Sequence, residues 1–129
     1  MDRSLQLIGM AKKAGLLAVG GEAVKAALRA GKAWLVILSS DASEGSAKRA
    51  RSGSELSGAV YVDAPYTKFE LGNVTGRGSP GTVAILDIEL AAGFLKGLAA
   101  SDTERYGEIA ERLQAMAADK SKRKRRAGI

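Results

Sequence analysis

The sequence predicts an α/β protein: a three-layer α/β/α sandwich in which helices cover both faces of a central, mostly parallel or mixed sheet of about four strands. Two observations carry that expectation. Four short apolar runs alternate with helix-spaced segments along the chain, the order that builds a sheet flanked by helices. The chain has 129 residues, 46% of them hydrophobic and 5% aromatic, which suits about one domain with an aliphatic core.

The elements follow in order. Ser4 can cap a helix over residues 4–14, with Leu5, Ile8 and Ala11 on one face and Lys12 and Lys13 beyond it; Gly15 suits the left-handed stop. "LLAV" is a strand, and after Gly20 and Gly21 a second helix spans residues 22–30 with Val24, Ala27 and Leu28 as its buried stripe. "WLVILSS" reads as a fully buried strand. "SDASEGSAKRA" opens a third, polar helix with Asp41 or Ser43 as its cap and Lys48, Arg49 and Arg51 late in it. "SGSELSG" has loop composition, "AVYVD" is a third strand, and "YTKFELGNV" is a short helix with Phe69 turned inward. "GRGSPG" is a loop, "TVAILD" the fourth strand, and "IELAAGFLKGLAA" a helix burying Leu90, Ala91, Phe94, Leu95 and Leu98.

From Ser101 the character changes. Ser101 and Glu104 of "SDTE" make a capping box, and Tyr106, Ile109, Ala110, Leu113 and Met116 recur at helical spacing on a charged helix ending near Asp119. That apolar face must pack on the domain or on a partner. The expected organisation is a domain at residues 1–100, an additional amphipathic helix at 101–119, and a basic tail at 120–129 that is disordered when free.

Charge is unevenly placed. The tail holds six basic residues and no acid: Lys120, Lys122, Arg123, Lys124, Arg125 and Arg126. The rest of the chain is balanced overall, but residues 1–51 carry nine basic and four acidic groups while residues 52–119 carry five and ten. A polyanion is therefore drawn to the N-terminal half and to the tail, where six cations give salt-sensitive, sequence-blind attraction to nucleic acid. With no cysteine and no histidine, thiolate chemistry, disulfides and imidazole metal sites are excluded. No basic start followed by an apolar segment and no apolar run long enough to span a bilayer is present, so a cytoplasmic protein without membrane partners is expected.

The chemistry-bearing motifs thin out quickly. "GRGSPG" spells G-x-G-x-x-G, but it follows a helix and precedes a strand, the reverse of the order that aims a helix N-terminus at a pyrophosphate. Asp41, Asp63 and Asp87 follow strands and would suit a magnesium-dependent, phosphoryl-accepting site if they converged; helix capping is the plainer reading. No serine has a histidine to activate it, and no Ser-x-x-Lys stands in a suitable setting. No enzyme and no cofactor is expected.

"AVGGEAVK" supports two readings. Gly20 and Gly21 can break a strand and Glu22 can complement the dipole of the following helix. Alternatively, the free N–H groups of that helix start donate to a phosphate, the glycines let an RNA strand come close, and Glu22 accepts hydrogen bonds from a base edge. Lys25 and Arg29, one and two turns on, then hold flanking phosphates. One acid among cations is ill suited to mere charge attraction and well suited to reading a base.

The successive pieces "AKKAG", "GGEAVK", "RAGKA" and "SDAS", followed by "FELGNVTG" before "TVAILD", resemble the kink-turn-binding ribosomal-protein family, and within it the small bacterial YlxQ-like branch. The resemblance covers about residues 4–99. It implies an α/β/α sandwich with a mixed four-stranded sheet, RNA binding without catalysis, and an accessory role at the ribosome or in translation. In the family signature an Asn-Glu pair is followed by a lysine three residues after the glutamate; Gly21 stands at the asparagine position, as is usual for the branch. Glu22, Lys25 and Arg29 match the positions that follow. The second RNA-facing element is the loop after the segment from Leu71 and Gly72 to Gly76. Pro80 fits its pattern, and Arg77, Gly78 and Ser79 replace residues that are usually apolar or acidic, which favours contact with the RNA backbone. The expected RNA contacts are thus Gly20, Gly21, Glu22, Lys25, Arg29, Arg77, Gly78, Ser79 and Pro80, with Lys13 as an extra one. The alternatives are a protein-interaction adaptor that docks a partner on the 101–119 helix, and the phosphoryl-accepting domain.

Overall fold

Four strands form one sheet in the computed structural model, which describes the backbone of residues 2–127 and the side chains of residues 2–120. β1 (Leu17–Val19), β2 (Leu35–Leu38), β3 (Val60–Asp63) and β4 (Thr82–Ile85) lie in the spatial order β1-β4-β2-β3. β4 is antiparallel to both neighbours, with Val83 opposite Val19 and Thr82 opposite Leu38, whereas β2 and β3 are parallel. The sheet is therefore mixed. β1, β2 and β3 all end at the edge where β4 begins, here termed the carboxyl end.

Alternation along the strands assigns the two cores. Leu35 and Ile37, Val60 and Val62, and Val83 and Ile85 face one side, where they pack with α1 (Arg3–Lys13), α4 (Lys68–Thr75), α5 (Ile88–Ser101) and α6 (Thr103–Ala127). Val36, Leu38, Ala18 and Ala84 face the other, against Val24, Ala27 and Leu28 of α2 (Gly21–Arg29) and Ala50 of α3 (Glu44–Ser57). Helices on both faces of a mixed four-stranded sheet make the three-layer sandwich that the alternation predicts.

Local chemistry moves several boundaries. Asp2, not Ser4, caps α1: its carboxylate accepts from the N–H groups of Ser4 and Leu5, and the buried Ser4 hydroxyl donates to the Phe94 carbonyl 3.1 Å away in α5. Ser43 caps α3, which runs through "SGSEL" to Ser57 instead of giving way to a loop. The serine hydroxyls that weaken the sequence signal are absorbed there, Ser54 donating to the Ala50 carbonyl at 2.7 Å. Asp102 separates α5 from α6 and caps the latter by accepting from the Arg105 N–H, so the Ser101–Glu104 box is replaced by its neighbour.

Two further expectations are corrected. Phe69 is 70% exposed, because α4 spends its inward side on Leu71, Gly72 and Thr75. The helix expected to end near Asp119 continues to Ala127, since nothing from Lys120 to Ala127 breaks a helix before Gly128. The backbone of residues 120–127, read from the sequence as part of the tail, is thus helical. The side chains of Lys122, Arg123, Lys124, Arg125 and Arg126, and residues 128 and 129, lie outside the described ones. On α6 itself, Tyr106, Ala110, Leu113 and Ala117 join the core beside α5, so its apolar face is covered by its own chain.

Candidate nucleic-acid interface

The sheet topology brings two separate loops together at the carboxyl end. β1 hands over to α2 through Gly20, whose N–H donates to the Thr82 carbonyl at 2.9 Å. Gly81, one residue earlier, accepts from the Ser39 N–H at 2.9 Å, so the chain entering β4 is held between the ends of β1 and β2. The glycine pair of "AVGGEAVK" is thus tied to the start of β4, into which the Arg77, Gly78, Ser79 and Pro80 segment leads, more than fifty residues later in sequence.

Backbone geometry explains the glycines. Gly20 caps α2 with φ +91° and ψ 160°, a conformation closed to residues with a Cβ, and no side chain among the described residues caps the helix. The first N–H groups of α2 therefore start the helix without a protein side-chain acceptor, at the positive end of its dipole. Gly72 has a different task. A Cβ there would overlap the carbonyl oxygen of Gly78, so its absence lets the 76–79 loop fold down onto α4.

Glu22, Lys25 and Arg29 are exposed along α2 and line one side of an open groove of about 1040 Å³; Ser46, Arg49 and Ser52 of α3 line the other. The two helices approach closely because Gly53 has no side chain, as a Cβ would sit 2.8 Å from a Leu28 methyl. Sequence reading assigned Arg49 to the helix dipole, whereas the packing of α3 on α2 adds it to the same groove. No periodicity within one helix carries that information, because it depends on how two helices meet.

Lys13 does not join this set. α1 ends at Lys13, and the chain then enters β1 where the Leu86 N–H donates to the Leu16 carbonyl, at the end of the sheet opposite Gly20. Lys120 is also at that opposite end: its ammonium lies 5.4 Å from the centre of the Trp34 ring, just before β2 begins. α6 accordingly runs from the carboxyl end, where the Tyr106 hydroxyl donates to the Asp63 carbonyl at 2.9 Å, to the far end.

The three strand-following acids do not converge. Asp41 and Asp63 lie at the carboxyl end, while antiparallel β4 delivers Asp87 to the other. Asp41 accepts the Lys68 N–H at 2.8 Å and pins the start of α4 to the loop after β2; that bond is the chief cause holding its carboxyl below the ordinary 3.8. Asp87 caps α5 through the Leu90 N–H at 3.0 Å, and Asp63 accepts from the Tyr61 hydroxyl at 2.8 Å. Among the described residues no cluster of three or more acids is gathered for a metal ion, and no helix is long and apolar enough to cross a membrane.

No family model and no curated protein matches the chain. Solved structures do. A protein of unknown function from Bacillus halodurans is similar at 25% identity and a TM-score of 0.68 over 75% of this chain and 97% of its own. A 15.5 kD RNA-binding protein from Giardia lamblia is similar at 19% identity and a TM-score of 0.58, covering 86% of this chain and 84% of that one. These likenesses place the chain in the same three-layer fold as a protein that binds RNA.

Proposed function

We propose that the protein is a non-catalytic RNA-binding module that recognises a structured, kink-turn-like RNA at the carboxyl end of its sheet. The observation that supports this reading best is the Gly20–Thr82 hydrogen bond. It ties the entry to an uncapped helix start to the first residue of β4, just after the glycine-rich, arginine-bearing loop, although nothing in their separate sequences requires them to meet. In this reading a phosphate lies against the N–H groups at Gly21 and Glu22, and the Glu22 carboxylate accepts from a base edge. Lys25 and Arg29 neutralise the flanking backbone along α2, and the loop of Arg77, Gly78, Ser79 and Pro80 meets the same RNA from the β4 side. An accessory role at the ribosome or in translation follows from the family resemblance.

Fluorescence anisotropy at two salt concentrations tests the proposal, comparing a kink-turn RNA with a straight duplex of equal length. The expected result is preference for the kinked RNA, lost on combined Glu22→Ala and Lys25→Ala substitution while weak, salt-sensitive binding to both RNAs persists. Equal binding of both RNAs by the unaltered chain would leave only charge attraction and overturn the reading.

A further inference from the structure

Phe69 is out of place as a core residue. The chain has six aromatic side chains, and the other five are occupied: Tyr66 and Phe94 pack edge to face with ring centres 6.3 Å apart, Tyr106 is buried, Tyr61 lies under Arg51, and Trp34 lies under Lys120. Phe69 alone among them is left 70% exposed.

Its surroundings are fixed on three sides. Thr67 and Glu70 close a capping box at the start of α4, and Asp41 accepts the Lys68 N–H, so the turn carrying Phe69 is held to the loop after β2. Tyr66, three residues earlier, has its carbonyl bonded to the Ser40 N–H at 2.8 Å. On the helix Phe69 is one turn before Gly72, about 60° around the axis from it at 3.6 residues per turn. Gly72 faces the carbonyl of Gly78, whereas Val74, on the far side of α4, lies against Gly9 of α1. Phe69 is therefore on the side of α4 next to the 76–79 loop, and that loop leads into β4 beside Gly20.

The local electrostatics suit a polyanion with an open face. Lys68 precedes Phe69 and Arg77 is exposed in the adjoining loop, while the carboxylates of Asp41 and Glu70 are engaged with the backbone N–H groups of Lys68 and Thr67. A flat apolar ring between cations offers little to a paired helix, whose bases are covered by their neighbours. It matches the free face of one unpaired base, with the cations on the adjacent phosphates.

We propose that Phe69 is a stacking platform for an unpaired nucleobase of the RNA bound at Gly20, Gly21 and Glu22, an inference that rests on the RNA-binding reading above. The platform selects RNA with a bulged or unstacked nucleotide at a set distance from the α2 start, and it adds discrimination that the groove cations cannot supply.

The test uses the full chain and a kink-turn RNA carrying 2-aminopurine at each unpaired position in turn, beside the same RNA with the bulge deleted. The unaltered chain is expected to quench the fluorescence strongly at one unpaired position. Phe69→Ala is expected to abolish that quenching and weaken binding of the bulged RNA about tenfold, within the range that loss of one stacked base gives. Phe69→Tyr is expected to retain both, and neither substitution should change binding of the bulge-deleted RNA. Unchanged quenching and affinity in Phe69→Ala, or equal weakening on both RNAs, overturns the platform while leaving the RNA reading intact provided that Glu22→Ala with Lys25→Ala still removes the preference. If the unaltered chain fails to distinguish bulged from bulge-deleted RNA, the RNA reading and the platform fall together.

Discussion

The two ends of the sheet hold cations in different ways. From the carboxyl end, Lys25, Arg29 and Arg49 line a groove with Gly21, Gly81 and Glu22, Arg77 is exposed in the loop that leads into β4, and the loops at that end are tied to one another by backbone bonds. At the opposite end, Lys120 rests on Trp34, and the α6 backbone continues to Ala127. Positive charge is thus placed once beside a shaped backbone and once along a helix in sequence. The first arrangement can distinguish one polyanion from another; the second responds to phosphate density and to salt. α6 spans the molecule from Asp63 to Trp34, so Lys120 and the proposed RNA site at Gly20 lie at opposite ends of the sheet.

α6 is what fixes this separation, so the largest expected effect comes from its core. Leu113 is fully buried beside α5, and Leu113→Ala should cost about 2–5 kcal/mol of unfolding free energy, measured by urea denaturation followed through Trp34. A loss below 1 kcal/mol would mean that α6 is an appendage and that the two poles are not rigidly related. Gly72→Ala should act at the carboxyl end only. The new methyl meets the Gly78 carbonyl, and the expected cost is about 1–3 kcal/mol together with loss of RNA preference. If stability falls while the preference for kinked RNA survives, the loop of Arg77 and Pro80 does not take part in reading the RNA.

Much of this arrangement is legible in the sequence, for physical reasons. All four strands and the starts of α2, α4 and α5 are marked by local chemistry: apolar runs, glycines with positive φ, and caps at Thr67 and Asp87. The misreadings share one cause, which is that tertiary partners decide them. Ser4 looks like a cap but donates to Phe94 ninety residues away, and the serine-rich end of α3 is helical because Gly53 packs on Leu28. Phe69 looks like core because an aromatic in a short helix ordinarily is, yet eight residues offer α4 only one inward side, already filled by Leu71 and Thr75. Glu22, Lys25 and Arg29 were readable as one face of one helix, whereas Arg49 and Lys13 were not placeable without the sheet order, which adds the first to the groove and removes the second.

The smallest expected effect concerns Asp41, and it sharpens the comparison through pH. Its carboxyl is held below the ordinary 3.8 mainly by the Lys68 N–H, so the unfolded chain binds the proton more readily than the folded one. The stability this bond contributes is complete above the unfolded value and is lost as pH falls below 3.8 through the lowered folded value. Asp41→Asn removes that titration. The variant should therefore be slightly less stable than the unaltered chain at neutral pH, and the difference should close as acid protonates Asp41. Urea midpoints taken from neutral pH down through this window provide the measurement. Because the bond anchors the turn that carries Phe69, the same substitution should blunt 2-aminopurine quenching at neutral pH before it measurably alters attraction to a straight duplex. Equal loss on both RNAs would assign Asp41 to the general charge balance of the carboxyl end and not to the placement of α4.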